Sequence, residues 1–571
     1  MKKILAWLLC TGLTISLLSA CGGKAATSTA ASSSEPAEAA VSELTSAPAE
    51  ASAPQEAVPD SAAPEDSAPS DQEPALQDES TTLNYFPVTD ESISWWFSYV
   101  DDITPDDSQF FQQMQERTGV TIAWQCPNRQ TATENFNLMI ASGDWTDMVT
   151  GLGGMYTTGL TGALEEGIIQ DLTEVIAENM PAYQNVLASN KEYTVDTKLD
   201  DGRIAAIYGL QAEGYPASVG MAIRKDWLDD LGMDLPRTYD EYHDALTAFK
   251  SEKGATSPLL ISASGTENNN FWFTGNGVAG TLDQTRGLYP FYQIDGEVHF
   301  SVTEQGFRDT IEMLSQWYAE GLIYKDFMSG DMMTSMGLAS SGETGLYTTF
   351  LTTLSNNDST TGGQAWPALM PLKQEGDEIH FGLDHSLVEG VSAGTCITAT
   401  AADTELCARW LDYLYTEEGQ LLANYGVEGV SFEYVNGKPQ LNDIVLNNPN
   451  YGTNIALNYY ALNIAIGLLD WSRTTVTYTD AQNAALEIWS EGDNAYNYPA
   501  NVTMTVQESE EFNRTYSDIS TNVSENVLAF ITGSRPLTDE SWNEFVTGIE
   551  GMGIEKCVEI KQAALDRYLS R

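Results

Sequence analysis

Basic side chains are scarce in this chain: 26 lysines and arginines stand against 82 aspartates and glutamates, a formal charge of −56. A surface so negative repels nucleic-acid backbones and anionic lipid headgroups, which excludes a nucleic-acid partner and favours neutral or cationic ones. Histidine is scarcer still. The four, His243, His299, His380 and His385, are scattered, and the spacing of the last two across a glycine suits neither a helical nor a strand metal pair. No H-E-x-x-H and no P-loop is present, so neither zinc proteolysis nor nucleotide hydrolysis is read here, and neither metal nor cofactor is expected. Six cysteines include no C-x-x-C; Cys126, Cys396, Cys407 and Cys557 are expected as buried thiols, with a disulfide left open. Beyond residue 18 no stretch is apolar and long enough to cross a bilayer.

What is present at the start is an export signal. Lys2 and Lys3 precede an apolar run from Ile4 to Leu18, then Leu18-Ser19-Ala20-Cys21. Small residues before that cysteine resemble the bacterial lipobox, which implies removal of residues 1–20 and acylation of Cys21. The mature chain would sit outside the cytoplasm, held to the outer face of the cell membrane by lipid alone. Residues 21–82 are rich in Ala, Ser, Pro and Glu without apolar periodicity, a composition that stays disordered. As a flexible coil such a linker reaches about 45 Å. Residues 1–82 together hold 12 of the 82 acids and 3 of the 26 bases, so 70 acids against 23 bases, or −47, remain on residues 83–571.

That body is too long for one core and reads as two α/β lobes. Ser92–Tyr99 is a strand, Asp106–Thr118 a helix stopped by Gly119, Val120–Trp124 a strand, Thr133–Ser142 a helix closed by Gly143, and Met148-Val149 a third strand. Alternation of this kind predicts a parallel sheet. A second block starts near Met221, with a Thr238-x-x-Glu241 capping box ahead of Tyr242, Leu246 and Phe249 at helical spacing. Pro258–Ser262 is a strand. Thr303–Glu320, with Phe307, Ile311, Leu314 and Tyr318 on one face, is a helix, as are Glu405–Tyr415 and Ile554–Leu569.

Several of these stretches resemble one family. Glu116-Arg117-Thr118-Gly119-Val120-Thr121-Ile122, Phe136 through Asp144, Ile223 through Gly232, Tyr425 through Phe432, and the closing Met552-Gly553-Ile554 with Arg567-Tyr568 are together similar to the family-one extracellular solute-binding lipoproteins of bacterial ABC importers, in their large carbohydrate-type subset. The resemblance implies a periplasmic-binding-protein-like clamp with several interlobe crossings, a ligand in the cleft, and a membrane permease that senses closure. By analogy lobe one holds 83–215 plus 380–430, and lobe two 216–379 plus 431–571. Some members carry a calcium loop after the helix matching Asp240–Lys250; Ser251-Glu252-Lys253-Gly254-Ala255-Thr256 here lacks its ligands, so no calcium is expected there.

A sugar presents a hydroxyl rim and flat C–H faces, so its site needs aromatic plates with fixed acids and amides. The chain has 13 Trp and 26 Tyr. Ligands in α/β sheets lie beyond the carboxyl ends of strands, which directs attention to Tyr99, Asp101 and Asp102, and to the loop through Asp144, Trp145, Thr150 and Tyr156. On the other lobe the run Glu267 to Phe273 contributes Asn268, Asn269, Phe271 and Trp272; in the resembled family it lies beside ligand, and Trp272 is the expected stacking platform. Glu428, Tyr451 and Trp471 complete the set. Each has a plainer role: Trp95, Trp96 and Trp124 are assigned to strand packing, Asp144 to capping a turn, and Asp101 to solvated surface. The predicted activity is capture of a neutral sugar by a monomeric receptor, not catalysis. A binder of peptides or cationic solutes, and a secreted glycoside hydrolase, are the alternatives; internal repeats that would mark an adhesin are absent.

Overall fold

The computed structural model describes residues 92–571 other than 99–102, 129–130, 213–218, 262–270, 281, 283–289, 329–336, 352, 355–363, 383–385, 389, 391–392, 450–451 and 463–465. The leader, Cys21 and the linker lie outside the described residues.

The predicted parallel sheet is present. Ser92–Trp96 pairs in parallel with Thr121–Gln125 on one side and Met148–Thr150 on the other, and Thr395–Ile397 adds an antiparallel edge. The crossover helix Gln109–Thr118 buries Phe110, Phe111 and Met114 and ends where Gly119 turns left-handed, with φ 70°. Its expected start at Asp106 belongs instead to a separate turn, Pro105–Asp107, because Ser108 is extended and interrupts the helical path. The next helix, Ala132–Ser142, buries only Phe136 and Met139; Leu138 is 61% exposed, so its apolar run does not share one face. Trp95, fully enclosed, stacks on Phe97 and Trp124 and meets the edge of Trp410.

A second sheet orders Ala365–Pro367, Val219–Arg224, Thr344–Phe350 and Ser257–Leu259. Strand alternation sends its side chains to two faces. Met221 and Ile223 join the large core formed with helices Tyr239–Glu252 and Gln305–Ala319, while Ala222 and Tyr347 pack with Trp489 on the other face. Trp489 lies over Gly220, where a Cβ would come 2.2 Å from its ring, and donates to the Met221 carbonyl at 3.1 Å. Both hydrogen bonds of the Thr238/Glu241 capping box form. In Gln305–Ala319 the buried face is Phe307, Ile311, Leu314 and Trp317, with Tyr318 only half-buried.

The C-terminal region closes the second core. Val506–Ile531 spans 26 residues and buries Phe512, Tyr516, Ile519, Val523, Val527 and Phe530, a stripe at steps of three and four. Each such side chain contributes about 1.5–3 kcal/mol when removed from water. Helices Asp539–Met552 and Ile554–Leu569 pack beside it. No helix among the described residues is long and apolar enough to cross a membrane.

Three chain segments run side by side between the cores. Leu210-Gln211 pairs in parallel with Leu468-Leu469, and the Gln211 amide donates to the Leu387 carbonyl at 2.9 Å. The chain leaves the first core after 212, returns near 387 and leaves again after 469. Leu462 and Ile466, placed with lobe two by sequence, pack in the first core, and Leu441, Val445, Ala456, Leu457 and Ala461 form a small cluster of their own.

Candidate ligand-binding site

The crossings bring together residues far apart in sequence. Trp471 follows the strand Leu468-Leu469 directly; it is half-buried, its indole N–H donates to the Gln211 side-chain carbonyl, and the Arg473 guanidinium lies 5.5 Å from its ring centre. Asp470 accepts from the Ser472 amide and hydroxyl, and its other oxygen stands 3.5 Å from the Tyr425 hydroxyl. Arg473 is 3% exposed and fastens this segment to the first core through the carbonyls of Ala423, Asn424 and Leu462 and the Asn424 side chain at 2.9 Å. Asn424 also donates to the Leu468 carbonyl and accepts from the Asp470 amide. Burial lowers the Arg473 pKa to about 10, with Asp470 opposing the fall. Burial and then the Asp470 charge push Tyr425 up to about 12, so its hydroxyl stays a donor at neutral pH.

The predicted contacts distribute unevenly. Tyr99, Asp101, Asn268, Asn269 and Tyr451 lie outside the described residues. Trp471 stands beside the crossings, and Glu428 is exposed on the turn before the strand Phe432–Val435. Five other positions are corrected. Phe271 and Trp272 are each 2% exposed within the large core; Trp272 meets Tyr242 and Trp317 edge-on, so neither of its faces is open to a sugar. Asp144 and Trp145 precede the strand Met148–Thr150, whose register sets Met148 beside Trp95, so they occupy the amino edge of the sheet, away from strand carboxyl ends. Trp145 packs edge-on against Phe136 there. The Thr150 hydroxyl is engaged within the sheet, by the Trp95 indole at 2.9 Å and Thr395 at 2.8 Å.

No group of three His, Cys, Asp or Glu side chains among the described residues is arranged for a metal. His243, His299 and His380 each pair with a different carboxylate, Glu320, Glu304 and Asp493. Gly390-Val391-Ser392-Ala393-Gly394 fits G-x-S-x-G, yet a nucleophile elbow leads from a strand into a helix, and this run leads into the strand Thr395–Ile397. Of the cysteines, Cys396, Cys407 and Cys557 are buried free thiols, whereas Cys126 is exposed, because it follows the last residue of a strand rather than lying within it.

Two α/β cores joined by three crossings, with an aromatic and hydrogen-bonding groups beside the joint, define a two-lobe binding protein. The chain belongs to the bacterial extracellular solute-binding protein family, which matches residues 101–421. It is 24% identical over 492 residues to the fructooligosaccharide ABC transporter substrate-binding protein FusA of Streptococcus pneumoniae, covering 81% of this chain and 88% of that one. Against lipoprotein LipO of Bacillus subtilis it is 22% identical over 351 residues, 58% and 65% of the two chains. The fold is periplasmic-binding-protein-like: it superposes on alginate-binding protein AlgQ2 with a TM-score of 0.68 at 22% identity, and on FusA in complex with kestose with 0.67 at 21%, covering 84% of this chain and 99% and 100% of those. Both are binding proteins, and the family is one of binders rather than enzymes.

Proposed function

We propose that this protein is an extracytoplasmic receptor, anchored through a lipid on Cys21, that captures a neutral sugar or oligosaccharide and delivers it to the permease of an ABC transporter. The observation that carries the reading is the joint itself: three crossings beside Trp471, Gln211 and Asp470, in a chain that aligns over 81% of its length with a fructooligosaccharide receptor. A ring that is apolar on its face and flanked by amide and carboxylate groups matches a pyranose or furanose better than it matches a charged solute. Tyr99, Asp101, Asn268, Asn269, Tyr451 and Glu428 are retained as further contacts. The receptor acts as a monomer.

The test is titration calorimetry of the mature protein with fructooligosaccharides, milk oligosaccharides, peptides and polyamines in parallel. Heat with a neutral glycan alone supports the reading. Heat with polyamines or peptides alone would transfer the site to cationic or peptide solutes, which the net charge of −47 on the body also suits. Release of reducing sugar at catalytic protein concentration would overturn the non-enzymatic role.

A further inference from the structure

Among the described residues, large apolar side chains are exposed at a few scattered places and at one concentrated one. Val430, Tyr434, Val435 and Ile444 are 38%, 49%, 46% and 38% exposed within a single stretch of the first lobe. The stretch is a hairpin, Phe432–Val435 paired with Lys438–Leu441, turned by Asn436 and Gly437 at φ 52° and 77°. Both central residues left-handed is the type I′ geometry that matches strand twist and fixes register.

Register then sorts the faces. Phe432 and Tyr434 share one face with their partners Leu441 and Pro439, and Glu433 and Gln440 take the other. The root of the apolar face is buried, with Phe432 and Leu441 at 1% and 3% exposure, and its tip is open. From the tip inward the aromatic contacts are continuous: Tyr434 meets Phe432 edge-on at 5.6 Å, Phe432 meets Tyr425 at 5.8 Å, and the Tyr425 hydroxyl reaches Asp470, next to Trp471. The exposed Tyr434 ring is thus the outer end of a line that begins at the interlobe joint. Glu428 bridges to Phe432 and supplies an exposed carboxylate beside that line.

We infer that Tyr434, with Pro439 beside it and Glu428 behind, is an outer platform for a distal ring of a bound oligosaccharide, so that the hairpin selects for chain length. The inference rests on the sugar-capture reading above and extends it. A ring held edge-on by a buried phenylalanine is preorganised, and its open face offers C–H stacking without ordering cost at binding. Glu428 can accept two hydroxyls of the same sugar. On this reading a monosaccharide or disaccharide held at the joint leaves the platform empty.

The experiment compares wild type, Tyr434→Ala and Tyr434→Phe by calorimetry with fructooligosaccharides from disaccharide to pentasaccharide, with thermal melts to confirm folding. Tyr434→Ala should weaken the longest chain about tenfold and the shortest by less than about twofold, and Tyr434→Phe should match wild type throughout. Equal loss at every length, or no loss at the longest, overturns the platform. Silence of wild type across this series and across matched milk and mannose oligosaccharide series overturns the sugar reading, and the inference with it; it is told apart from a failed platform because wild type itself then gives no heat.

Discussion

Two tryptophans show how little residue type says about role. Trp272 sits in a run of amides and aromatics that reads as a ligand loop, yet Tyr242 and Trp317 enclose it, whereas Trp471 carries no motif and stands at the joint. Trp272→Ala should therefore leave a cavity and lower unfolding stability by about 3–5 kcal/mol in denaturant titration. Trp471→Ala should lower affinity for the captured glycan by about 1–3 kcal/mol, read by calorimetry, with a smaller cost in stability. Lys561 presents a different problem: it is 7% exposed, with its ammonium about 5.0 Å from the ring centres of both Tyr498 and Phe512 and no carboxylate among the described residues bonded to it. Burial pushes its pKa down from 10.5 to about 8, Cys557 opposing. Below pH 8 both folded and unfolded chains hold the proton and the full penalty applies; between about 8 and 10.5 the unfolded chain binds more protons, so stability rises with pH. Relative to Lys561→Met, wild type should gain on the order of 3 kcal/mol across that window in melts at stepped pH. A flat difference would mean the lysine is solvated.

At the scale of elements, sequence carried much of the fold because start and stop signals act locally. Gly119 and Thr238 are examples: one position needs a left-handed residue, the other a hydroxyl facing a glutamate three residues on, and both geometries form. The same logic, applied further along, was sufficient for the helix Val506–Ile531, where Thr505 and Glu508 make a complete capping box ahead of a clear apolar stripe, and for the hairpin, where Asn436-Gly437 is a strong turn signal. The site was less legible for a physical reason. Which edge of a sheet a loop occupies depends on strand register and direction, and these placed Asp144 and Trp145 at the amino edge; partners such as Gln211 and Trp471 meet only through the pairing of 210–211 with 468–469. The cap itself is testable. Thr505→Ala removes the bond to the Glu508 amide and should cost about 1 kcal/mol in thermal or chemical unfolding, with Thr505→Ser near wild type. Arg473 acts at the same scale, since a buried guanidinium bonded to three carbonyls ties a crossing to the first core and leaves that crossing little freedom of its own.

For the whole molecule, motion between lobes is decided by where the cores touch apart from the crossings. Asp200 of the first core accepts from Arg567 at 2.7 Å and from Arg571 at 2.5 Å, and Asp196 accepts from the Tyr568 hydroxyl at 2.8 Å. Arg567 is also held by Glu508, whose charge burial opposes but whose carboxyl Arg567 keeps below its usual range. These contacts adjoin the joint, because Glu192 bonds the Leu387 amide and Tyr193 the Gln211 carbonyl only a few residues earlier in the chain. A contact so near an axis travels little when the lobes rotate, so it can persist through opening and closing. Asp200→Asn keeps the shape but removes the charge from two arginines, one of them 5% exposed, and should cost about 2–3 kcal/mol of stability. It should nevertheless leave ligand-induced compaction intact: small-angle scattering should show the same fall in radius of gyration on glycan addition in variant and wild type. Loss of that compaction in Asp200→Asn would place the axis at the C-terminal helix rather than at the three crossings.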